Sequence, residues 1–390
     1  MDNLTHTLLG LSAAKAGLER ATPLAATTLV ISSNLPDIDV LTSMSLAFRD
    51  PIAGLEHHRG FTHSFVGLAV LAAALTAALL YLDRRFRLRG DHRRRPLRPM
   101  RIFGLAYLGG LGHLFMDFTN SYGVRPLLPF SGRWFYGDMV FVADPWIWLI
   151  LGSTVVWLTA TEPPRVLFWS IVGVILAVVV AVALRDPSDL QPALPLMSRV
   201  IWFAGLAVVL LGAVLRWGRR GSALARYSLF ALTLYYGAMW MAHESALQRA
   251  WATAPPENIK VMAAWPAPAN PSLWRAAAGA DTVVYTRAVD LTTPLPESAA
   301  AAGKRPVPPL APTEADQWTA NPRLDPAIDA ALRRWEVGRV FLDFARFTAT
   351  TVETRPEGYH VSIRDLRFNL HLTAVLDREM NVESIDVGWF

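Results

Sequence analysis

The chain has 390 residues, of which 53% are hydrophobic and only 18% are charged, and its formal net charge is +5. A soluble protein of this size usually carries about 25% charged residues, so the composition favours a membrane protein over a soluble one. The sequence contains no cysteine, which excludes disulfides and thiolate metal sites.

Two short apolar stretches, 3–19 and 22–34, lie at the N-terminus. A signal peptide would need a basic start and a cleavage site with small residues, whereas this chain begins MDNLTH. We therefore expect residues 1–34 to be retained as a short helical hairpin that packs against the remaining helices.

Longer apolar stretches follow, and each predicts a helix that crosses the membrane. About 20 apolar residues span a bilayer core, and the stretch VLFWSIVGVILAVVVAVAL has no ionisable group between Arg165 and Arg185. The predicted spans are 64–82, 101–119, 145–160, 166–184, 199–215 and 224–242. The expected fold class is mainly α: a polytopic bundle of membrane helices in residues 1–243 that carries a metal site, followed by an α+β domain outside the membrane in residues 244–390.

Arginines crowd into two loops between predicted spans, 84–101 and 216–226. The positive-inside rule places both loops in the cytoplasm. The alternation of spans then places 120–144 and everything after about residue 243 outside, which is the periplasm if the protein lies in a bacterial inner membrane. Because these arginines flank membrane spans, we expect them to contact membrane lipids and expect no nucleic-acid partner.

The C-terminal region begins with proline-rich segments, including a loose stretch at 291–313, and continues with patterns of period two. Alternation between turn signals predicts antiparallel strands, here in RVFLDFARF, GYHVSIRDLRF and HLTAVLDREMNVESIDV. We expect a small α+β domain with a sheet, and nothing in it has catalytic spacing.

Histidines and carboxylates cluster next to the predicted spans, toward the external end of each. The candidate metal ligands are His6, Asp37, Asp39, His58, His63, His113 and Asp117. His113 or His6 alone would more often be an ordinary buried histidine, but ionisable groups at membrane depth are expensive and tend to be functional. Seven of them on one side of the membrane favour a metal site.

The local spacings also suit chelation. His113 and Asp117 are four residues apart on a predicted helix and so share a face. Pro36 should end the preceding helix and leave PDID extended, with Asp37 and Asp39 on the same side. In the next motif, Gly60 permits a sharp turn that would bring His58 back toward His63.

Imidazole and carboxylate ligands without thiolate suit Zn²⁺, Mn²⁺ or Fe²⁺. Such ions lower the pKa of bound water and polarise a phosphoryl or carbonyl oxygen, so the sequence predicts a metal-dependent hydrolase. Asp39 or Asp37 would be the catalytic base. Asn34, Arg59 and Asn120 would orient ligands or an anionic substrate. A phosphoester, lipid-linked or small, fits a site beside the bilayer.

Two other functions are consistent with the same ligands, namely a metal transporter and a non-catalytic membrane scaffold. Transport needs ionisable or broken helices near the midplane with access from both sides. The interiors of 166–184 and 199–215 have no ionisable residue, which argues against transport. A scaffold would use its metal only for folding.

The N-terminal half resembles the YdjM family of predicted inner-membrane metal-dependent hydrolases. The matching stretches are LTHTLLG, NLPDIDV, HHRGFTHS, GHLFMDFTNSYG, RPLLPFSG and ADPW. The later segments NPSLWR, FARF and DLRF are similar to those of longer family members. The resemblance implies a membrane-embedded metal hydrolase of unspecified substrate.

The order of the ligands is also distantly similar to that of the zinc-dependent phospholipase C and nuclease superfamily. There, an N-terminal histidine, an aspartate, a second histidine and an HxxxD pair surround a zinc cluster, as His6, Asp37, His58 or His63, and His113 with Asp117 would here. No later HxxxE motif completes a three-zinc site in this sequence. His243 with Glu244, Asp138 and Asp144 are the weaker candidates, so the resemblance implies one or two ions.

Overall fold

Helices make up most of the described residues before residue 253 in the computed structural model, which describes residues 1–40, 51–86, 96–183, 196–293, 318–368 and 370–389. The helices are α1 (Asn3–Lys15), α2 (Ala25–Ser32), α3 (Pro51–His57), α4 (Phe65–Phe86), α5 (Pro99–Phe118), α6 (Pro145–Thr159), α7 (Pro163–Ala183), α8 (Leu196–Val214) and α9 (Ser222–Ala252). Parts of three predicted loops lie outside the described residues, namely 87–95, 184–195 and 294–317.

Three described helices are long and apolar enough to cross a membrane: Phe65–Phe86, Pro163–Val182 and Leu196–Val214. Pro145–Thr159 is a shorter apolar helix. The other two predicted spans, 101–119 and 224–242, are also helical, in α5 and α9. The chain is therefore a membrane protein with mainly helical structure in this region, while the count of six spans and their orientation stay predictions.

The N-terminal hairpin forms as expected, because small residues let α1, α2 and α5 approach closely. A Cβ at Gly10 of α1 would lie 2.6 Å from Ser33 Oγ and 2.8 Å from the carbonyl oxygen of Leu29. Only glycine fits such an approach. On its other side, α1 packs Leu8 into a core that includes Ile147 and Leu151 of α6.

The sheet predicted in the C-terminal region is present, and the described residues there form two four-stranded antiparallel sheets. The first comprises β1 (Val261–Ala267), β2 (Asn270–Gly279), β3 (Val283–Asp290) and β4 (Thr319–Pro322). Helices α10 (Pro326–Leu332) and α11 (Glu336–Phe344) follow. The second sheet comprises β5 (Thr348–Thr354), β6 (Gly358–Asp365), β7 (Leu370–Asp377) and β8 (Val382–Trp389).

The strand predictions are right for β6, β7 and β8 and wrong for RVFLDFARF. Most of that stretch is the end of α11, which buries Val340, Phe341 and Phe344. These positions recur at the spacing of a helix face, and the apparent alternation was a coincidence of a short window. Strands β1 and β2 were missed because Pro266 and Pro271 suggested a loop. Pro266 is tolerated because β1 is an edge strand.

Two arginines, the buried Arg367 and the partly exposed Arg346, fix the second sheet to the segment after α5. Arg367 pairs with Asp365 at 2.8 Å and donates to the carbonyl oxygen of Ser121 at 3.0 Å. Arg346 pairs with Asp138 at 2.6 Å. The C-terminal region thus covers residues 119–144, which lead directly from the polar end of α5.

The carboxyl of Asp144 caps the N-terminus of α6 and gives a pH-dependent contribution to stability. It accepts from the backbone N–H of Trp146 at 2.9 Å and from the hydroxyl of Tyr235 at 2.7 Å. Burial raises the pKa of Asp144 to about 6, although these hydrogen bonds oppose the shift.

We predict that the free energy of unfolding falls as pH rises from about 4 to about 6.5. Between these values the folded state holds the Asp144 proton more tightly than the unfolded state does, and the upper limit of the effect is about 3 kcal/mol. Thermal unfolding in detergent at several pH values measures it. Asp144→Asn should lack this part of the pH dependence, and an unchanged dependence in that variant would contradict the assignment.

Candidate metal centre

Four separate segments bring nitrogen and oxygen ligands to one place. They are α1 with His6, the turn with Asp37 and Asp39, the turn before α4 with His58 and His63, and the end of α5 with His113 and Asp117. All but His58 are buried. The predicted convergence of the ligands is therefore present in the fold.

The backbone of the aspartate turn differs from the prediction. Leu35–Asp37 is a 3₁₀ helix and the chain remains helical to residue 40, so PDID is not extended. Pro36 is accommodated because it lies at the start of this turn, where no helical N–H is needed. Asp37 and Asp39 still reach the same cluster, from successive positions of a tight helical turn.

The first group of candidate ligands is fully buried. One atom each of Asp37, His63, His113 and Asp117 lies within 4.8 Å of the others. His63 Nε2 is 3.3 Å from Asp37 Oδ1 and 3.3 Å from Asp117 Oδ2. His113 Nε2 is 3.3 Å from the same Asp117 oxygen, which confirms that these two residues share a helix face.

A second group shares Asp37 and lies nearer the surface. Asp37, Asp39 and His58 each offer one atom within 4.8 Å of the others. His58 Nδ1 is 3.2 Å from Asp39 Oδ1, and the His58 side chain is 25% exposed. The two neighbouring ligand sets therefore share the carboxylate of Asp37, and the set that includes His58 is the more exposed one.

Outer contacts fix which ring nitrogens point inward. His113 Nδ1 donates to the carbonyl oxygen of Ser33 at 2.8 Å, which leaves its Nε2 for the cluster. His63 Nδ1 lies 3.2 Å from Asp39 Oδ2, and Thr62 Oγ1 donates to that oxygen at 2.8 Å. Such contacts set the tautomer of a metal-binding imidazole. Ser33 and Thr62 had no sequence signal beyond their place next to the motifs.

Several polar atoms of the cluster make no hydrogen bond of good geometry within the described residues. They are both ring nitrogens of His6, Asp37 Oδ2 and Asp117 Oδ2. His6 stacks on His113 with ring centroids 3.7 Å apart, and its Nε2 lies 3.6 Å from Asp117 Oδ1. Buried polar groups are normally hydrogen-bonded, so these atoms fit a bound cation.

Arg59 is buried, and its guanidinium binds groups inside the protein, so it is not free to bind an anionic substrate. Its guanidinium donates to Asp117 Oδ1 at 3.0 Å, Asn120 Oδ1 at 3.1 Å and the carbonyl oxygen of Gly123 at 3.0 Å. The amino group of Met1 also contacts Asp117 Oδ1. Arg59 therefore orients Asp117, and its other neighbour is the ring of Tyr122, 4.4 Å away.

The turn between His57 and His63 is made by both Arg59 and Gly60. Arg59 has the left-handed backbone, with φ of 56°, whereas the prediction placed the special conformation at Gly60. Glycine is still required there, because a Cβ would lie 2.7 Å from the carbonyl oxygen of His57. The turn brings the His58 and His63 rings to 5.8 Å, as expected.

Asn120 and Asn34 were also predicted to orient ligands or substrate. Asn120 is connected to the cluster by its hydrogen bond from Arg59, whereas Asn34 contacts α1. The side-chain oxygen Oδ1 of Asn34 accepts from Thr7 Oγ1 at 3.2 Å. His57 is exposed. Asp138 pairs with Arg346, and Asp144 accepts a hydrogen bond from Tyr235. His243 packs against Trp274 with the two rings tilted. None of these three residues belongs to the centre.

Asp37 and Asp39 keep their negative charge at neutral pH. Burial would raise the pKa of Asp39, but hydrogen bonds with His58 and His63 outweigh it and hold the pKa well below the ordinary value. The pKa of Asp37 is also lowered, because the hydrogen bond with His63 and the nearby His113 outweigh burial. Burial lowers the pKa of His6 and His58. Charged carboxylates beside neutral imidazoles are the ligand states that a divalent ion needs.

The cluster lies at the end of the α4–α5 pair that is opposite the basic loop. His63 precedes α4 by two residues, and Arg84 and Arg85 are in its last turn, which is about 33 Å away along a 22-residue helix. On the other side, Tyr122 packs against Phe344 of α11 with ring centroids 4.8 Å apart. The C-terminal region thus reaches the centre through aromatic contacts with Tyr122.

Comparison with known proteins supports the resemblance found in the sequence. Residues 1–188 match the family described as YdjM inner membrane protein, so the predicted family is confirmed over this region. The chain is also similar to the uncharacterized protein YfhP of Bacillus subtilis (strain 168), with 26% identity over 174 residues. That match covers 42% of this chain and 48% of the relative, about half its length. No solved structure gives a significant match.

We predict that His113→Ala lowers the affinity for zinc by at least about 100-fold, since it removes a buried ligand whose outer contacts alone are worth 10- to 100-fold. Metal content of detergent-purified protein, measured by mass spectrometry after dialysis against a competing chelator, shows the loss. His57→Ala is the matched control, because His57 is on the same turn as His58 but exposed. Equal metal content in both variants would contradict the assigned ligands.

Proposed function

We propose that the protein is a membrane-bound metal-dependent hydrolase that acts on a phosphoester or lipid-linked substrate at the external face of the membrane. The observation that carries the proposal is the pair of ligand groups that share Asp37. One group is fully buried, and the other includes the partly exposed His58. A structural site would be closed, whereas a catalytic site keeps an accessible position.

The chemistry of the ligands fits a hydrolytic ion. When bound, a divalent ion such as zinc, or alternatively manganese or iron, would lower the pKa of water and polarise a phosphoryl oxygen. His63, His113 and Asp117, with His6 beside them, would hold it on the buried side. Asp39 and His58 would face the substrate on the exposed side.

The two carboxylate oxygens of Asp39 have different contacts and therefore different roles. Its Oδ2 accepts from Thr62 and from the backbone N–H of Arg59, and lies beside His63 Nδ1. This oxygen orients His63. Its Oδ1 lies next to His58, and we assign the handling of the water proton to this Asp39–His58 pair. Because the pKa of Asp39 is low, the aspartate on its own is a weak base, and the imidazole of His58 supplies the proton-accepting nitrogen.

Hydrolysis is favoured over transport by the composition of two candidate spans, α7 and α8. Between Val166 and Ala183 of α7 and between Val200 and Val214 of α8, the described residues include no ionisable side chain. A metal pathway would need polar groups at membrane depth, and these two helices offer none.

The proposal predicts metal-dependent cleavage that is lost in His58→Ala. The protein is stripped with a chelator and reloaded with zinc, manganese or iron. It is then tested on aryl phosphomonoesters, phosphodiesters and carboxylic esters. We expect activity only with metal, and a fall in kcat of about 100-fold or more in His58→Ala, which is typical for loss of a proton-transfer group. The variant should retain metal, because the buried group is intact.

Asp386→Asn, on the exposed part of β8, is the control and should keep wild-type activity. Protein that binds metal but cleaves no substrate in the panel would contradict the hydrolase proposal. Loss of folding in His58→Ala, in place of loss of turnover, would indicate the scaffold function.

A further inference from the structure

Large apolar side chains lie exposed between the candidate ligands. Ile38, between Asp37 and Asp39, is 45% exposed. Phe61 and Phe65, on either side of His63, are 46% and 45% exposed. Ile38 is adjacent in sequence to both aspartates, and Phe61 and Phe65 are each two residues from His63, so these exposed side chains emerge from the same short segments as the ligands.

The two segments that carry these side chains adjoin each other. Thr62 Oγ1 donates to Asp39 Oδ2 at 2.8 Å, which ties the neighbour of Phe61 to the neighbour of Ile38. Phe65 donates its backbone N–H to the carbonyl oxygen of Pro126 at 3.0 Å, and the exposed Leu127 and Phe130 follow. We call the set Ile38, Phe61, Phe65, Leu127 and Phe130 the apolar edge.

The apolar edge continues into a membrane helix. Phe65 is the first residue of α4, which is a candidate span, and the exposed side chains of Val66 and Val70 extend the same surface by another turn. An exposed apolar face on a spanning helix contacts lipid hydrocarbon. The edge therefore lies where the bilayer meets the metal centre.

Around Tyr122 the cluster is covered by protein. Tyr122 lies over the Arg59 guanidinium and 5.6 Å from the His58 ring. Phe344 and Phe368 of the C-terminal region in turn pack on Tyr122, at 4.8 Å and 5.8 Å. The C-terminal region thus closes this side, whereas the apolar edge is open toward the lipid.

We infer that the substrate is a membrane amphiphile, a hydrocarbon chain that carries a phosphoester head group, and that it enters the centre sideways from the bilayer. Its chain lies along the apolar edge and its phosphoester meets the Asp39–His58 side. This inference rests on the proposed hydrolase function. In the reaction, a water oxygen bonds to phosphorus, the bond to the leaving oxygen breaks, and one water proton passes to that oxygen.

The test compares two phosphodiesters with the same nitrophenyl leaving group, one with a hexadecyl chain in phosphatidylcholine vesicles that also hold the metal-loaded full chain, and one with a methyl group. We expect kcat/KM to be at least about 100-fold higher for the long-chain ester. Phe61→Ser should lower the ratio of long-chain to short-chain kcat/KM about tenfold. Phe203→Ser is the matched control, because Phe203 is 42% exposed on the candidate span α8, and it should leave this ratio unchanged.

A second readout does not depend on turnover. A long-chain phosphonate with a photoactivatable diazirine in its chain should label residues 38, 61 or 65 of the wild-type protein, as mapped by peptide mass spectrometry. Equal kcat/KM for both esters, with no labelling at these positions, would overturn the inference and leave the hydrolase proposal standing. Failure to cleave either ester with metal bound would overturn both.

Discussion

The constraint on which the structure depends is the burial of several ionisable groups at one point beside a membrane. Asp37, Asp39 and Asp117 lie with His6, His63, His113 and Arg59 in an interior that excludes water. A buried charge without a partner is strongly destabilising. The groups are tolerated because they are mutual partners, with Arg59 and the Met1 amino group against Asp117 and imidazoles against the aspartates.

Close packing is the second requirement, because four segments must approach within bonding distance of one ion. Gly10 brings α1 against the end of α2, and Gly109 of α5 approaches Ser32 on the same helix end. The carbonyl oxygen of Ser33, at this contact, orients His113. The same contact at the end of α2 thus depends on small residues for its close packing and sets the tautomer of His113.

The sequence was sufficient to predict which side chains converge where a single local period decided the geometry. His113 and Asp117 share a face because helical spacing dictates it. The conformation of PDID could not be predicted in the same way, because Pro36 is compatible both with an extended chain and with the first turn of a helix. Likewise, the left-handed backbone at Arg59, and not at Gly60, could not be predicted, because arginine has no intrinsic preference for that conformation.

Tertiary contacts explain the other failures. RVFLDFARF fits two periods over nine residues, and packing of Phe341 and Phe344 into the C-terminal core favours the helix. The hydrogen bonds from Arg59 to Asp117, Asn120 and Gly123 depend on the position of the segment after α5. No local pattern in the sequence specifies that position. The same applies to Tyr122, whose place over Arg59 joins the C-terminal region to the centre.

The central claim, that these residues form one metal centre, is tested most directly by X-ray absorption spectroscopy of the zinc-loaded protein in detergent. The account predicts zinc with only nitrogen and oxygen neighbours at about 2.0–2.2 Å and the outer scattering of at least two imidazole rings. Zinc that is absent, or bound without any imidazole contribution, would contradict the account.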